Sequence, residues 1–149
     1  MKIINNKIQK YMNNLQKITV ANDLNELEKI NVFIDSFTNI WNIKDEIIYK
    51  INLAVEELFL NIIDYGYQDN KKHLISFEFI NNIDSLIIKI VNDAIEFDII
   101  NYPTPELPPN IKERDIGGLG IFFIKKMVNH ISSTNVNGIN TIQLVINTN

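Results

Sequence analysis

Two neighbouring stretches of the chain alternate apolar and polar residues, as strands of a half-buried sheet do. The stretches are "HLISFEFIN" and "SLIIKIVN", and "NNID" forms the turn that joins them. Alternate side chains of a strand share one side of the sheet, and the apolar rows that result are Ile75, Phe77, Phe79, Leu86, Ile88 and Ile90. The pattern predicts an antiparallel hairpin. The end of the chain, "ISSTNVNGINTIQLVIN", predicts a second hairpin that turns at Asn137-Gly138.

Helical spacing of apolar residues marks three further segments. Residues 22–41 begin with an Asn or Asp cap, residues 44–65 carry an apolar seam that steps by four and three, and Gly66 ends the second helix. "LGIFFIKKMVNH" begins another helix, and "QKITVA" is a strand candidate near the N-terminus. Because the strands come in adjacent hairpins without crossovers, the order predicts an α+β two-layer sandwich, with the helices packed on one face of a mostly antiparallel sheet.

Length, charge and cysteine content narrow the class of protein. The 149 residues fit one domain, 1–149, in which residues 1–14 are a flexible or additional N-terminal segment. A net charge of −4 and a pI near 5.1 argue against direct nucleic-acid binding. The absence of cysteine excludes disulfides, thiolate metal sites and cysteine nucleophiles. No apolar run approaches the ~18 residues of a membrane span and no signal peptide is recognisable, so a cytoplasmic protein is expected.

The helix predicted at 44–65 carries two polar side chains beside its apolar seam. Glu57 and Asn61, in "AVEELFLNII", are four residues apart and therefore lie one above the other on one helix face. A carboxylate can act as a general base, and an amide oxygen can bind a hard cation such as Mg²⁺. Taken alone, the pair also fits a solvent-exposed helix face, and both interpretations stay open.

A glycine-rich stretch, "IGGLGIFF", precedes the last predicted helix. Its glycines allow backbone N–H groups to approach an anion closely, and the helix that begins there adds the positive end of its dipole. The stretch fits a phosphate-binding loop and, equally, a flexible hinge. Before it, "DIINYPTPELPPNIKERDIGG" contains four prolines and has no period, which is typical of a functional lid.

A third motif, "VNDAIEFD", lies where the predicted strand 85–92 ends. Its Asx pair, Asn92 and Asp93, can hydrogen-bond the amino edge of a base, or can simply form an Asx turn.

Along the chain the acid and amide come first, then the Asx pair, and then the glycines. In that order the three motifs resemble those of the GHKL ATPase superfamily, to which gyrase and sensor histidine kinases belong. The chain is similar over about residues 15–147, above all to the small stand-alone anti-sigma-factor serine kinases, and "EELFLNII" and "IGGLGIFFIKK" carry the resemblance. The resemblance implies the Bergerat ATP-binding fold, with ATP and Mg²⁺ as cofactors. It also answers why a core helix accepts an acid and an amide: both would face a nucleotide and its metal ion.

The resemblance also assigns roles by position. Glu57 resembles the base that polarises the attacking group, and Asn61 resembles the Mg²⁺ ligand. The phosphate loop and the start of the helix beneath it correspond to Gly117, Gly118, Leu119, Gly120 and Ile121.

Two departures from the family pattern concern the nucleotide. The family usually has Asp-x-Gly, whose Asp accepts a hydrogen bond from the adenine amino group, and this chain has Asn92, Asp93 and Ala94 there. Asn92 is expected to accept through its carbonyl oxygen without bringing a charge, and Ala94 has less backbone freedom than glycine. Many relatives have an Arg immediately before the glycines, where this chain has Ile116, so Arg114 is the candidate phosphate contact.

The resemblance implies a protein serine/threonine kinase of the anti-sigma type. It would transfer the γ-phosphoryl group of Mg-ATP to a small antagonist protein, sequester a sigma factor when that antagonist is absent, and form a homodimer. The alternatives are a non-catalytic regulator whose ATP-ordered lid controls partner binding, and a detached ATPase module that serves a separate phosphoacceptor protein. A complete autophosphorylating histidine kinase is excluded, because neither His73 nor His130 lies in a dimerisation helix. Both histidines are interpreted as plain surface residues.

Overall fold

A computed structural model of the protein describes residues 1, 3, 14–106 and 119–149. The strands and helices follow one another in the order β1 (Leu15–Ala21), α1 (Leu27–Thr38), α2 (Asp45–Tyr65), β2 (Leu74–Asn81), β3 (Ser85–Asn92), α3 (Leu119–Met127), β4 (His130–Val136) and β5 (Ile139–Asn147). A 3-10 turn at Leu24–Glu26 precedes α1, and the Asp23 side chain caps it by accepting a hydrogen bond from the Asn25 N–H. The predicted elements are therefore present, with ends shifted by a few residues.

The five strands form one sheet in the order β1-β2-β3-β5-β4, and every neighbouring pair is antiparallel. Alternate residues of β3 are buried and the residues between them are not, so one face of the sheet packs against the helices. The apolar rows predicted for the first hairpin lie on the buried face. This arrangement confirms the predicted α+β fold with a helical layer on an antiparallel sheet.

The longest helix, α2, lies at the centre of the core. Its buried residues recur at helical spacing and are Ile47, Ile51, Ala54, Val55, Leu58, Phe59 and Ile62. Full burial of one such leucine, isoleucine or phenylalanine side chain stabilises the fold by about 1.5–3 kcal/mol. The helix therefore forms a rigid support for the polar side chains on its remaining face.

Gly66 ends α2 for a different reason from the one that the sequence suggests. A left-handed cap would favour glycine, yet Gly66 has φ −83° and remains right-handed. A Cβ at this position would instead contact the carbonyl oxygen of Ile62 and come within 2.7 Å of the Ala94 Cβ. The Gly66 carbonyl accepts a hydrogen bond of 2.9 Å from the Ile95 N–H. Gly66 thus allows the segment after β3 to pack closely on the end of α2.

The second hairpin turns where the sequence predicts. Asn137 has φ +52° and Gly138 has φ +81°, the left-handed conformation that both central residues of a type I′ turn require. The turn places Asn135 opposite Asn140, and the β3–β5 pairing places Asn140 opposite Asn92. Three asparagines therefore lie side by side across three strands.

Among the described parts of the chain, no helix is both long and apolar enough to span a membrane.

Candidate functional site

A cavity of about 350 Å³ lies beside α2, at the end of β3. It is within the ~300–1,000 Å³ range of small-molecule pockets. Four elements enclose it: α2, the segment that follows β3, the start of α3, and β5. The side chains that define its two ends and its walls include Asn61, Ile62, Asn92, Ala94, Ile121 and Asn140.

At one end of the cavity, α2 contributes the predicted acid and amide. Asn61 lines the cavity, and its side chain makes no hydrogen bond with any described residue, so its amide oxygen can accept a ligand. Glu57 lies one helical turn earlier on the same face and is partly exposed. It is not itself a lining residue; it lies against the first turn of α3.

The contact between Glu57 and α3 explains the glycine at position 120. A Cβ on Gly120 would overlap the Oε2 of Glu57 and approach the carboxyl carbon as well. Only glycine leaves the carboxylate room in its observed position. The fold thus brings the predicted acid of α2 and the last glycine of the predicted phosphate loop into direct contact.

The environment of Glu57 shifts the pKa of its carboxyl. Partial burial raises the pKa of the Glu57 carboxyl above its usual value, and the charge of neighbouring Glu56 raises it further. A carboxylate with a raised pKa is a stronger proton acceptor near neutral pH. The electrostatics of the site therefore favour a general base at Glu57.

At the other end of the cavity, the three asparagines form a hydrogen-bonded row. Asn135 Nδ2 donates to Asn140 Oδ1 at 2.7 Å. Asn140 Nδ2 donates to the Ala94 carbonyl at 2.8 Å and to Asn92 Oδ1 at 3.1 Å. Asn92 Oδ1 also accepts the Ala94 N–H at 3.1 Å. Both Asn92 and Asn140 are buried, with exposed fractions of 4 % and 6 %. The row provides partners for both polar side-chain atoms of Asn140 and for Asn92 Oδ1.

The row corrects the expectation for Asn92. Its carbonyl oxygen was expected to accept from a base, but this oxygen already accepts two hydrogen bonds. Sequence reasoning also missed Asn140. The pairing of Asn135 with Asn140 could have been predicted from the Asn137-Gly138 turn. No signal in the sequence indicates that β5 pairs with β3 in the register that places Asn92 opposite Asn140.

The other member of the predicted Asx pair faces away from the cavity. Asp93 accepts a hydrogen bond from the Tyr67 hydroxyl at 3.2 Å and contacts His73 Nδ1 at 3.1 Å. Asp69 contacts His73 Nε2 at 2.8 Å, and the Tyr67 ring stacks on the His73 ring at 4.1 Å. His73 is therefore the centre of a surface cluster and not the plain surface residue that the sequence suggests.

The two carboxylates of the cluster favour the protonated form of His73. Hydrogen bonds to Asp69 and then to Asp93 raise the pKa of His73. Partial burial raises the pKa of Asp93, but its hydrogen bonds with His73 and Tyr67 outweigh burial and leave that pKa below its usual value. Its hydrogen bond with His73 is the main reason that the pKa of Asp69 is lowered. Both ring nitrogens can donate only when the imidazole is protonated, so the geometry and the pKa directions agree.

We expect the stability of the protein to depend on pH through this cluster. The folded pKa of His73 is higher than the unfolded one, so its contribution is complete below about pH 6.5 and is lost as pH rises through the folded pKa. Asp69 and Asp93 have lowered pKa values, so their contribution is lost at the acid end, as pH falls below about 4. Chemical denaturation at several pH values should show the free energy of unfolding decreasing above pH 6.5, and His73→Gln should flatten that decrease. His130→Gln is the matched control; an unchanged slope in His73→Gln would contradict the assignment.

The segment after β3 is attached to α3 on the far side of the cavity. Lys125 Nζ donates to the carbonyls of Ile100 and Tyr102 at 2.9 and 3.0 Å, and the rings of Phe97 and Tyr102 pack at 5.3 Å. Phe97 and Tyr102 both line the cavity. The segment therefore forms an apolar wall that is fixed to α3.

The remaining predicted residues have different outcomes. Ala94 and Ile121 line the cavity, and Leu119 is the first residue of α3. Gly117, Gly118 and Arg114, together with residues 107–116 of the predicted lid, lie outside the described residues. Within the described part of the chain, no group of three His, Asp or Glu side chains forms a metal site; a cation here would depend on Asn61 and on the ligand itself.

The fold is an α+β domain in which a helix, a strand end and a helix start border one cavity. The sequence model of the family described as "Histidine kinase-like ATPase domain" matches residues 20–146, and the chain belongs to this family. The match confirms the resemblance to GHKL ATPases, and membership implies ATP binding. A comparison with curated proteins gave no match.

Among solved structures, the chain is similar to the RsbU and RsbW domains of Rv1364c from Mycobacterium tuberculosis. The crystal structure matches with a TM-score of 0.60 and 12 % sequence identity, over 89 % of this chain and 32 % of that chain. At this identity the likeness shows the fold alone, and the present chain spans about a third of the longer one.

Proposed function

We propose that the chain is a protein serine/threonine kinase of the anti-sigma type, which transfers the γ-phosphoryl group of a magnesium-bound nucleoside triphosphate to a small antagonist protein. The observation that supports this most is the contact between Glu57 and Gly120. It brings a carboxylate with a raised pKa to the helix start that would bind the phosphates. A site for binding alone has no need of a base at that position.

The chain's own residues fit the steps of such a transfer. Glu57 accepts the proton of the attacking serine or threonine hydroxyl, the hydroxyl oxygen bonds to the γ-phosphorus, and the bond to the β-phosphate oxygen breaks to release the nucleoside diphosphate. Of the chain's residues, Gly120 and the start of α3 would offer backbone N–H groups to the phosphates, and the sequence assigns the same role to Gly117 and Gly118. Asn61 would hold Mg²⁺ through its amide oxygen, and the ion would neutralise phosphate charge.

The proposed partners are those of the anti-sigma type. The phosphoacceptor is the antagonist protein, and a sigma factor is bound by the kinase, a homodimer, when the antagonist is absent. A non-catalytic regulator, in which nucleotide only orders the lid, is the second candidate. The observation that favours it is Asn92, which offers no carboxylate where a nucleobase would bind. Label from γ-labelled triphosphate on a genomically adjacent antagonist would support the kinase; tight nucleotide binding without any transfer would favour the regulator.

Asn61→Ala should remove most of the Mg²⁺ dependence of nucleotide binding. Mg²⁺ in such sites has few protein ligands besides the phosphates, so loss of this one should weaken binding in Mg²⁺ at least about tenfold, while binding in EDTA changes little. Calorimetric titrations with and without Mg²⁺ measure both. Asn52→Ala is the matched control, because Asn52 is on the same helix but donates to the Ile48 carbonyl. Equal Mg²⁺ dependence of binding in Asn61→Ala and wild type would show that Asn61 is not a Mg²⁺ ligand.

A further inference from the structure

We propose that the cavity selects purine nucleotides that carry a 6-oxo group, such as GTP and ITP, over ATP. The inference rests on the proposed function, because it concerns the base of the same nucleotide. It depends on which atom the buried Asn92 amide presents to the cavity, and the hydrogen bonds around that amide determine the atom.

Two backbone groups fix the orientation of the amides. The Ala94 carbonyl can only accept, so the atom of Asn140 that lies 2.8 Å from it must be Nδ2. That same Nδ2 also donates to Asn92. The Ala94 N–H can only donate, so it independently requires an acceptor, Oδ1, on Asn92. Reversing the Asn92 amide would place an NH₂ group against two donors.

The orientation leaves Asn92 Nδ2 for the ligand. The hydrogen bonds of the Asn92 side chain with described residues all involve Oδ1, and no buried side-chain nitrogen or oxygen of the described chain lacks a partner. Nδ2 is therefore not enclosed, and Asn92 lines the cavity. The base end of the cavity thus presents a hydrogen-bond donor.

Asn92 Nδ2 lies in the part of the cavity where we expect the purine base. Ile62 and Ile142 line the cavity together with Asn92 and Asn140 and are apolar. Asn61 also lines it and lies one helical turn from Glu57, which contacts Gly120 outside the lining. Along α2, Glu57 and Gly66 are about 13 Å apart at 1.5 Å per residue, a span that an extended nucleoside triphosphate covers. The base would therefore reach Asn92 when the phosphates are at Gly120.

A 6-oxo group and a 6-amino group interact with this donor in opposite ways. The O6 of guanine or hypoxanthine accepts a hydrogen bond from Nδ2. The amino group of adenine is itself a donor and would leave two buried donors facing each other, which is costlier than a merely weak hydrogen bond. The transfer chemistry concerns the phosphates and is the same for either purine.

Asn92→Asp should reverse the preference. One carboxylate oxygen replaces Oδ1 and keeps the hydrogen bonds from Ala94 and Asn140. The other replaces Nδ2 with an acceptor, which suits the adenine amino group and repels O6. The substitution keeps the size of the side chain and does not remove a partner from the asparagine row.

The test is calorimetric titration of the folded chain with Mg-ATP, Mg-GTP and Mg-ITP. ITP has the 6-oxo group without the 2-amino group of GTP and so isolates the position in question. We expect wild type to bind ITP and GTP about tenfold more tightly than ATP, and Asn92→Asp to bind ATP more tightly than ITP. Asn129→Asp introduces the same charge at an exposed site that does not line the cavity and should retain the wild-type order.

The outcomes separate this inference from the proposed function. Equal affinities, or tighter binding of ATP by wild type, would overturn the base selectivity and leave the proposed kinase standing. No binding of any purine triphosphate at millimolar concentration by folded protein would overturn both. The wild-type comparison decides the matter even if Asn92→Asp fails to fold.

Discussion

Glu57→Gln is expected to lower phosphoryl transfer to the antagonist by about 10²–10⁴-fold, the usual value of general-base assistance. Glutamine keeps the size of the side chain and its ability to hydrogen-bond, but it cannot take the proton of the attacking hydroxyl. The Glu57 side chain does not line the cavity that would hold the nucleotide, so affinity for the triphosphate should stay close to that of wild type. Single-turnover transfer of label and a parallel binding titration separate the two effects.

Glu56→Gln is the matched control for this substitution. Glu56 is adjacent on α2 and acts on Glu57 only through its charge, which contributes to the raised pKa. Its removal should change transfer by no more than a few-fold and should shift the lower limb of the pH–rate profile toward acid, because the pKa of Glu57 falls. Undiminished transfer in Glu57→Gln would exclude Glu57 as the base.

Gly120→Ala is expected to lower transfer by about 10²-fold without unfolding the protein. The added methyl group occupies the space of the Glu57 carboxylate, and displacement of a reacting group by about 1 Å can cost a factor of that order. Glu57 is a flexible, partly exposed side chain that can move aside, and alanine is a better helix former than glycine by about 1 kcal/mol. The thermal midpoint should therefore change little while transfer falls.

A double substitution distinguishes displacement of Glu57 from other effects of the methyl group. If Gly120→Ala acts by moving the carboxylate, adding it to Glu57→Gln should cause little further loss, because the base is already absent. Losses that multiply in the double variant would show that the methyl group disturbs phosphate binding directly. Nucleotide titrations on the same proteins measure that disturbance independently.

Local patterns were sufficient to predict most of this fold. The alternation in β2 and β3, the seam of α2 and the Asn137-Gly138 turn each depend on residues close together in the sequence, and each element is present. The helical spacing of Glu57 and Asn61 likewise placed them on one face of α2. Such features follow from backbone periodicity alone.

Features that depend on distant parts of the chain could not be predicted. The Asn92–Asn140 hydrogen bond depends on the β3–β5 register, and the environment of His73 depends on Asp93, twenty residues away in sequence. Gly66 was correctly placed at a helix end, but its contact with Ala94 requires the packing of the segment after β3. The structure shows that the side-chain oxygen of Asn92 already accepts two hydrogen bonds, which the sequence does not reveal. The expectation that this oxygen would accept a hydrogen bond from a nucleobase was therefore wrong.

A calorimetric titration of the wild-type chain with Mg-ATP and Mg-GTP measures whether the cavity beside α2 binds a purine nucleotide with Mg²⁺. We predict saturable binding of one nucleotide per chain that weakens when EDTA removes the metal ion. Absence of heat and of any competition at millimolar nucleotide, with circular dichroism showing folded protein, would exclude this cavity as a nucleotide-binding site.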